Sequence, residues 1–175
     1  MRNWFYEQMA MYSAYHRNRL NQLTHHVGVP MIVFSILVIL STITVADFET
    51  GPLTLAAVFI GLLLLFYVVA APLVGVIAAF LYGFLTYLAE AVSLLESPSP
   101  WQTFAVLFIV GWIIQFSGHI FEKRKPALFD NLMQIFMAPS FLIAELLFMV
   151  GLEEGLKAEI EARMPKYLPK VHGEG

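Results

Sequence analysis

A chain of 175 residues suffices for one domain, but 59% hydrophobic and 13% charged residues with a mean hydropathy of +0.73 lie far from the soluble average and mark an integral membrane protein. A net charge of -3 without a clustered basic face excludes a nucleic-acid partner, and the absence of cysteine excludes disulfides, thiolate nucleophiles and iron–sulfur clusters. Any bound metal must use histidine, carboxylate or amide ligands.

Trp4, Phe5, Met9, Tyr12 and His16 recur at spacings of mostly three or four. This predicts an amphipathic helix within 1–20, lying in the interface or packing under the bundle. Charged and aromatic residues precede any apolar run, so no cleavable signal is expected. Asn18 and Asn21 predict a break, with Asn21 capping the next helix. Spanning segments are expected at 24–46, 53–70, 73–95 and 101–121, separated by the polar turn 47–52, the Ala71-Pro72 punctuation and the 96–100 loop. The segment 132–152, interrupted by Pro139 and carrying Glu145, is read as spanning or re-entrant, and 153–175 as a polar tail. The expected fold is all-α: a single polytopic helical membrane domain of four to five transmembrane helices plus the N-terminal amphipathic helix. Lys and Arg concentrate at 2–19 and 123–125 and are missing from the loops at 47–51 and 96–100, which orients the N-terminus to the cytoplasm. Four crossings then return residue 122 to the face from which the chain set out.

That count brings His16, His25, His26, His119 and Glu122 to one membrane face. His119 and Glu122, three residues apart, share a helical face. His16 and His25, nine apart, would point oppositely on one continuous helix, and the break at 18–21 lets them converge. Three histidines plus a carboxylate suit a non-haem Fe(II) centre with open positions, or a zinc site that activates water. Interface histidines of a small transporter or scaffold, and a haem with two axial histidines, are the competing readings. Glu90 falls at the opposite face, Glu145 is ambiguous, and His172 is expected in solvent.

The motifs Tyr-His-x-Asn-x-x-Asn-x-x-x-His-x-x-x-x-Pro at 15–30, Gly-Trp-Ile-x-Gln-Phe-x-Gly-His-x-x-Glu-Lys-Arg-x-Pro-Ala-Leu-x-Asp-Asn-Leu at 111–132, and Ala-Pro-x-Phe followed by Glu145 closely resemble the Mpo1-like family. The resemblance implies an Fe(II)-dependent dioxygenase that shortens a 2-hydroxy fatty acid by one carbon through α-oxidation, in sphingoid-base degradation. It also implies His16, His25 and His119 as iron ligands, with Glu122 as a fourth ligand or as the partner that orients one of them. His26, Asn21, Asn131 and Glu145 are expected around the ligands, and Arg17 and Arg124 are candidates for the substrate carboxylate. The implied partners are a 2-hydroxy fatty acid, O₂ and membrane lipid. The expected membrane is a bacterial inner membrane or the endoplasmic reticulum, with the site at the cytoplasmic face. Arg19 stands where relatives often carry proline.

Overall fold

The structure, a computed structural model, describes residues 1–49 and 51–169, so His172 and the end of the polar tail lie outside the described residues. Helix α1 (Arg2–Tyr15) ends at His16, whose backbone leaves the helical region. Helix α2 (Arg19–Ser41) starts after the N-cap Asn18, whose side chain accepts from the Leu20 amide at 2.9 Å. The break therefore falls as expected, but the cap is Asn18 rather than Asn21. Asn21 lies within the helix, fully buried, with its side-chain amide donating to the Tyr15 carbonyl and the Glu122 carboxylate.

Helix α2 stops at Ser41, short of the predicted 46, because the chain turns into an antiparallel hairpin of β1 (Thr44–Phe48) and β2 (Gly51–Thr54). This short pair is an addition to an otherwise helical fold. Thr44 and Val45 favour extended backbone, and Gly51, at φ 127, takes a conformation that other residues avoid. Thr54 caps α3 (Leu55–Ala70), and the lone link Ala71 precedes Pro72 at the first position of α4 (Pro72–Ser93). Proline has no amide hydrogen to lose there, so the tight bend costs the helix little. A Ser99/Gln102 capping box opens α5 (Pro100–Glu122). A 3-10 turn (Ala127–Phe129), α6 (Gln134–Met149), α7 (Glu154–Arg163) and a 3-10 segment (Met164–Tyr167) complete the chain.

Among the described residues three helices, α2, α4 and α5, are long and apolar enough to cross a membrane. The expected count of four to five is thus reached only in part. Helix α3, at 16 residues, measures ~24 Å against a hydrocarbon core of ~30 Å. Its course is nevertheless antiparallel to α4: Thr54 Oγ1 donates to Glu90 Oε1 at 2.7 Å, joining the start of one to the end of the other. The Tyr67 hydroxyl near the end of α3 donates to the Phe136 carbonyl on α6. Glu90 and the hairpin consequently lie at one end of the bundle, and His16, His25, His119 and Glu122 at the other. Exposed Phe80, Phe84, Val106 and Ile113 on α4 and α5 form the apolar exterior that a bilayer requires.

Helices α2 and α5 pack most closely, and glycine makes this possible. A methyl group built on Gly118 would stand 2.1 Å from Thr24 Oγ1 and 2.5 Å from Asn21 Oδ1, and one on Gly28 would stand 2.8 Å from the Gly111 carbonyl oxygen. Small residues let the two backbones approach, which brings the His25 helix onto the His119 helix. Helix α1 is buried almost all round from Met9 to Tyr15, not along one stripe, because α6 packs on it and α7 covers it. The chain reaches that cover by a 117° bend between α6 and α7, where Gly151 and Glu153 take positive φ. Glu7 fastens the arrangement, accepting from Tyr167 Oη at 2.7 Å and Lys166 Nζ at 3.0 Å, with Arg163 Nε 3.4 Å away. Those two hydrogen bonds, above all, hold its pKa below the usual carboxylate value.

Candidate metal centre

His16, in the link after α1, lies with its ring stacked on Tyr12 at 4.0 Å between centroids, and its Nδ1 donates to the Tyr12 carbonyl at 2.7 Å. His25, near the start of α2, donates from Nδ1 to the Asn21 carbonyl at 2.8 Å. Each backbone bond fixes its tautomer and leaves the lone pair on Nε2. The two Nε2 atoms face each other at 3.1 Å. With both protons on Nδ1 there is none to share, so the opposed lone pairs repel unless an electrophile lies between them.

His119, in the last turn of α5, completes the group. Its centroid is 5.2 Å from that of His16 and 5.0 Å from that of His25, and its buried Nδ1 has no hydrogen-bond partner among the described residues. One ligand nitrogen from each ring falls within 4.8 Å of the others. Metal–nitrogen bonds of about 2.1 Å at right angles separate neighbouring donors by about 3.0 Å, which the His16–His25 pair already meets. The rings are 3%, 1% and 7% exposed. Burial, reinforced by the facing His25, holds the His16 pKa well below the ordinary histidine value, so the ring is a neutral lone-pair donor at pH 7. Three neutral imidazoles fit a divalent transition metal, Fe(II) or Zn(II), with positions left open.

Glu122 does not join the histidine group. Its carboxylate accepts from the Arg17 amide at 3.2 Å, the Asn18 amide at 2.7 Å and Asn21 Nδ2 at 3.1 Å. It thereby ties the end of α5 to the start of α2, and it holds Asn21, whose carbonyl orients His25. His26, one residue on, is turned about 100° round the helix into another cleft. There its Nδ1 bonds the Gln22 carbonyl and its Nε2 lies 3.9 Å from Glu145 Oε2. Asn131 donates to Gln8 Oε1 at 2.6 Å and accepts from the Met133 amide, so it secures the approach to α6. Arg124 lies over the Tyr15 ring at 3.3 Å and donates to the carbonyls of Ala14 and Tyr167, and the exposed Arg17 contributes only its backbone amide.

An apolar cleft, partly open to the outside, lies beside His16 and His119, walled by Val29, Ile32 and Ile36 of α2, Trp112 of α5 and Ile135 of α6. Its polar lining includes Tyr12, Gln115 and Gln134, none of which the sequence reading assigned to the site. Tyr12 and Gln115 each precede a histidine of the group by four residues, one helical turn, and that spacing could have revealed them. Gln134 has no such local signal. Outside His119 a shallow depression carries Lys123, Arg124 and Lys125.

The family model described as 2-hydroxy-palmitic acid dioxygenase Mpo1-like matches residues 2–150. The 2-hydroxy-palmitic acid dioxygenase MPO1 of Saccharomyces cerevisiae is 36% identical over 156 residues, which cover 88% of this chain and 86% of the yeast protein. No solved structure matches.

Proposed function

The chain belongs to the Mpo1-like family, and from that membership we propose that it is an Fe(II)-dependent dioxygenase that shortens 2-hydroxy fatty acids by one carbon. The observation that carries the metal assignment is the opposed Nε2 pair of His16 and His25 at 3.1 Å, with His119 on the third side. His16, His25 and His119 would hold Fe(II), which would supply the redox chemistry with O₂ and a binding point for the polar head of the substrate. The overall change consumes one O₂, breaks the bond between the carboxyl carbon and C2, and yields the shortened acid, CO₂ and water.

The protein's part is to hold three rings, exclude water and align an amphiphile. The Tyr12 and Asn21 carbonyls keep Nδ1 protonated and Nε2 free on His16 and His25. Glu122 steadies Asn21 and thus His25 without entering the ligand set. The acyl tail lies in the apolar cleft, which follows α2 from Val29 to Ile36, a run of ~10 Å. Lys123, with the fixed charge of Arg124, gives the mouth beside His119 a positive field for the carboxylate, while Lys125 is paired with Asp130. We infer that this end faces the cytoplasm of a bacterial inner membrane or of the endoplasmic reticulum, because Arg17, Arg19 and residues 123–125 gather there. Helix α3, with the extended 51–54 segment before it, is our choice for a fourth crossing, and α6 with its 117° bend for a re-entrant element. A haem fits poorly, since rings with centroids 4.4–5.2 Å apart leave no slot for a macrocycle between any two.

The test is metal analysis of protein purified without oxygen, then Fe(II) reconstitution and O₂ consumption with 2-hydroxypalmitic acid. Uptake matched to pentadecanoic acid, with none from palmitic acid, is the expected result. A zinc-loaded protein that remains inactive after exchange to Fe(II) overturns the reading.

A further inference from the structure

Gln134 is the first residue of α6 and is 2% exposed, yet only one end of its side-chain amide is satisfied. Its Nε2 donates to Gln8 Oε1 at 2.8 Å and to the Gln8 carbonyl at 3.4 Å, and Gln8 Oε1 also receives Asn131 Nδ2 at 2.6 Å. A flipped amide would set the Gln134 oxygen against two acceptors, so the orientation is fixed by its neighbours. The remaining atom, Oε1, is buried and has no donor among the described residues. Gln134 lines the same cleft as His16 and His119, together with Tyr12, whose buried hydroxyl also has no partner among the described residues, and Gln115; the remaining walls are apolar. Buried carbonyl oxygens are seldom left unpaired, so the cleft calls for a ligand that brings a hydrogen-bond donor.

We propose that Gln134 is a specificity-determining residue whose side-chain carbonyl accepts the hydrogen bond of the substrate's 2-hydroxyl. This rests on the reading of the substrate given above. An ionised 2-hydroxy fatty acid carries one donor, the hydroxyl, while its carboxylate only accepts. The pairing distinguishes the hydroxylated acid from the plain acid of equal length, which would leave Oε1 bare. Asn131 and Gln8 are positioning residues for Gln134, which gives Asn131 a part in the site although it touches no histidine.

The test is anaerobic calorimetric binding of 2-hydroxypalmitate and palmitate to the full-length protein, with and without Fe(II). Wild type should prefer the hydroxy acid in both states. Gln134→Met should reduce that preference about tenfold while leaving palmitate affinity and iron content within about twofold. Gln8→Met, which keeps Gln134 but removes the shorter of the two bonds that hold its amide, should reduce the preference by a smaller factor, and this arm decides the matter if Gln134→Met does not fold. An undiminished preference in these variants, or equal binding of both acids by wild type without iron, overturns the proposal even if the iron-loaded protein turns over the hydroxy acid. Wild type that neither binds nor consumes the hydroxy acid overturns the functional reading as well.

Discussion

Replacing Glu122 separates a ligand from a strut. The carboxylate accepts three hydrogen bonds, of which the one from the Arg17 amide is exposed and readily replaced by water. The bonds from Asn18 N at 2.7 Å and Asn21 Nδ2 at 3.1 Å are partly buried. Hydrogen bonds to a charged group contribute about 1.5–3 kcal/mol each, and water access lowers that, so Glu122→Ala should cost about 2–3 kcal/mol in total. At 2–4 °C per kcal/mol for a chain of this length, Tm falls by roughly 4–12 °C. Glu122→Gln keeps one acceptor and should lose about half as much. Because the Glu122 carboxylate is engaged by the Asn18 and Asn21 donors and not by the histidine group, Glu122→Gln should still bind one equivalent of Fe(II), with affinity lowered no more than about tenfold. Thermal unfolding in detergent and anaerobic iron titration read the two effects independently. A Glu122→Gln protein with unchanged Tm that no longer holds iron would refute this, making the carboxylate a ligand.

Gly118→Ala should damage the centre without touching a ligand. Its methyl meets Thr24 Oγ1 at 2.1 Å and the Asn21 Cα at 3.1 Å, an overpacking worth about 1–3 kcal/mol, and iron affinity should fall at least tenfold as α2 and α5 part. Gly61→Ala on α3, where an added methyl meets nothing within 4 Å, is the control and should be neutral or up to ~1 kcal/mol stabilising. Glu7 should make the cover over α1 acid-sensitive. Its folded pKa is depressed below the ordinary 4.5, so its contribution is complete above that value and is lost as pH falls through the folded pKa. Between about pH 6 and about pH 3.5 the wild type should lose more thermal stability than Glu7→Gln, and parallel curves would contradict this.

Much of this architecture was legible in the sequence. Apolar runs and Pro-Gly punctuation located the long helices, and the lysine–arginine asymmetry brought His16, His25 and His119 to one end. What stayed hidden depends on contacts between distant residues. Asn18 and Asn21 are equally good caps by type, and Glu122, which takes the Asn21 side chain, lies about a hundred residues downstream. The spacing of Glu122 from His119 suggested a shared cation, but the amides at the start of α2 compete for the carboxylate and win. His25 and His26 could not be separated locally, because the contact of Gly118 with Asn21 and Thr24 fixes the rotation of α2. The β1–β2 hairpin was absorbed into a predicted span, since Thr44, Val45 and Ala46 are as compatible with an apolar helix end as with a strand.

Iron stoichiometry across single-site variants tests the three-histidine centre most directly. Alanine at His16, His25 or His119 should each reduce bound Fe(II) from one equivalent to a small fraction, while His26→Ala, in the neighbouring cleft, retains it. Full iron occupancy in any of the first three, or its loss in the fourth, would contradict the assignment.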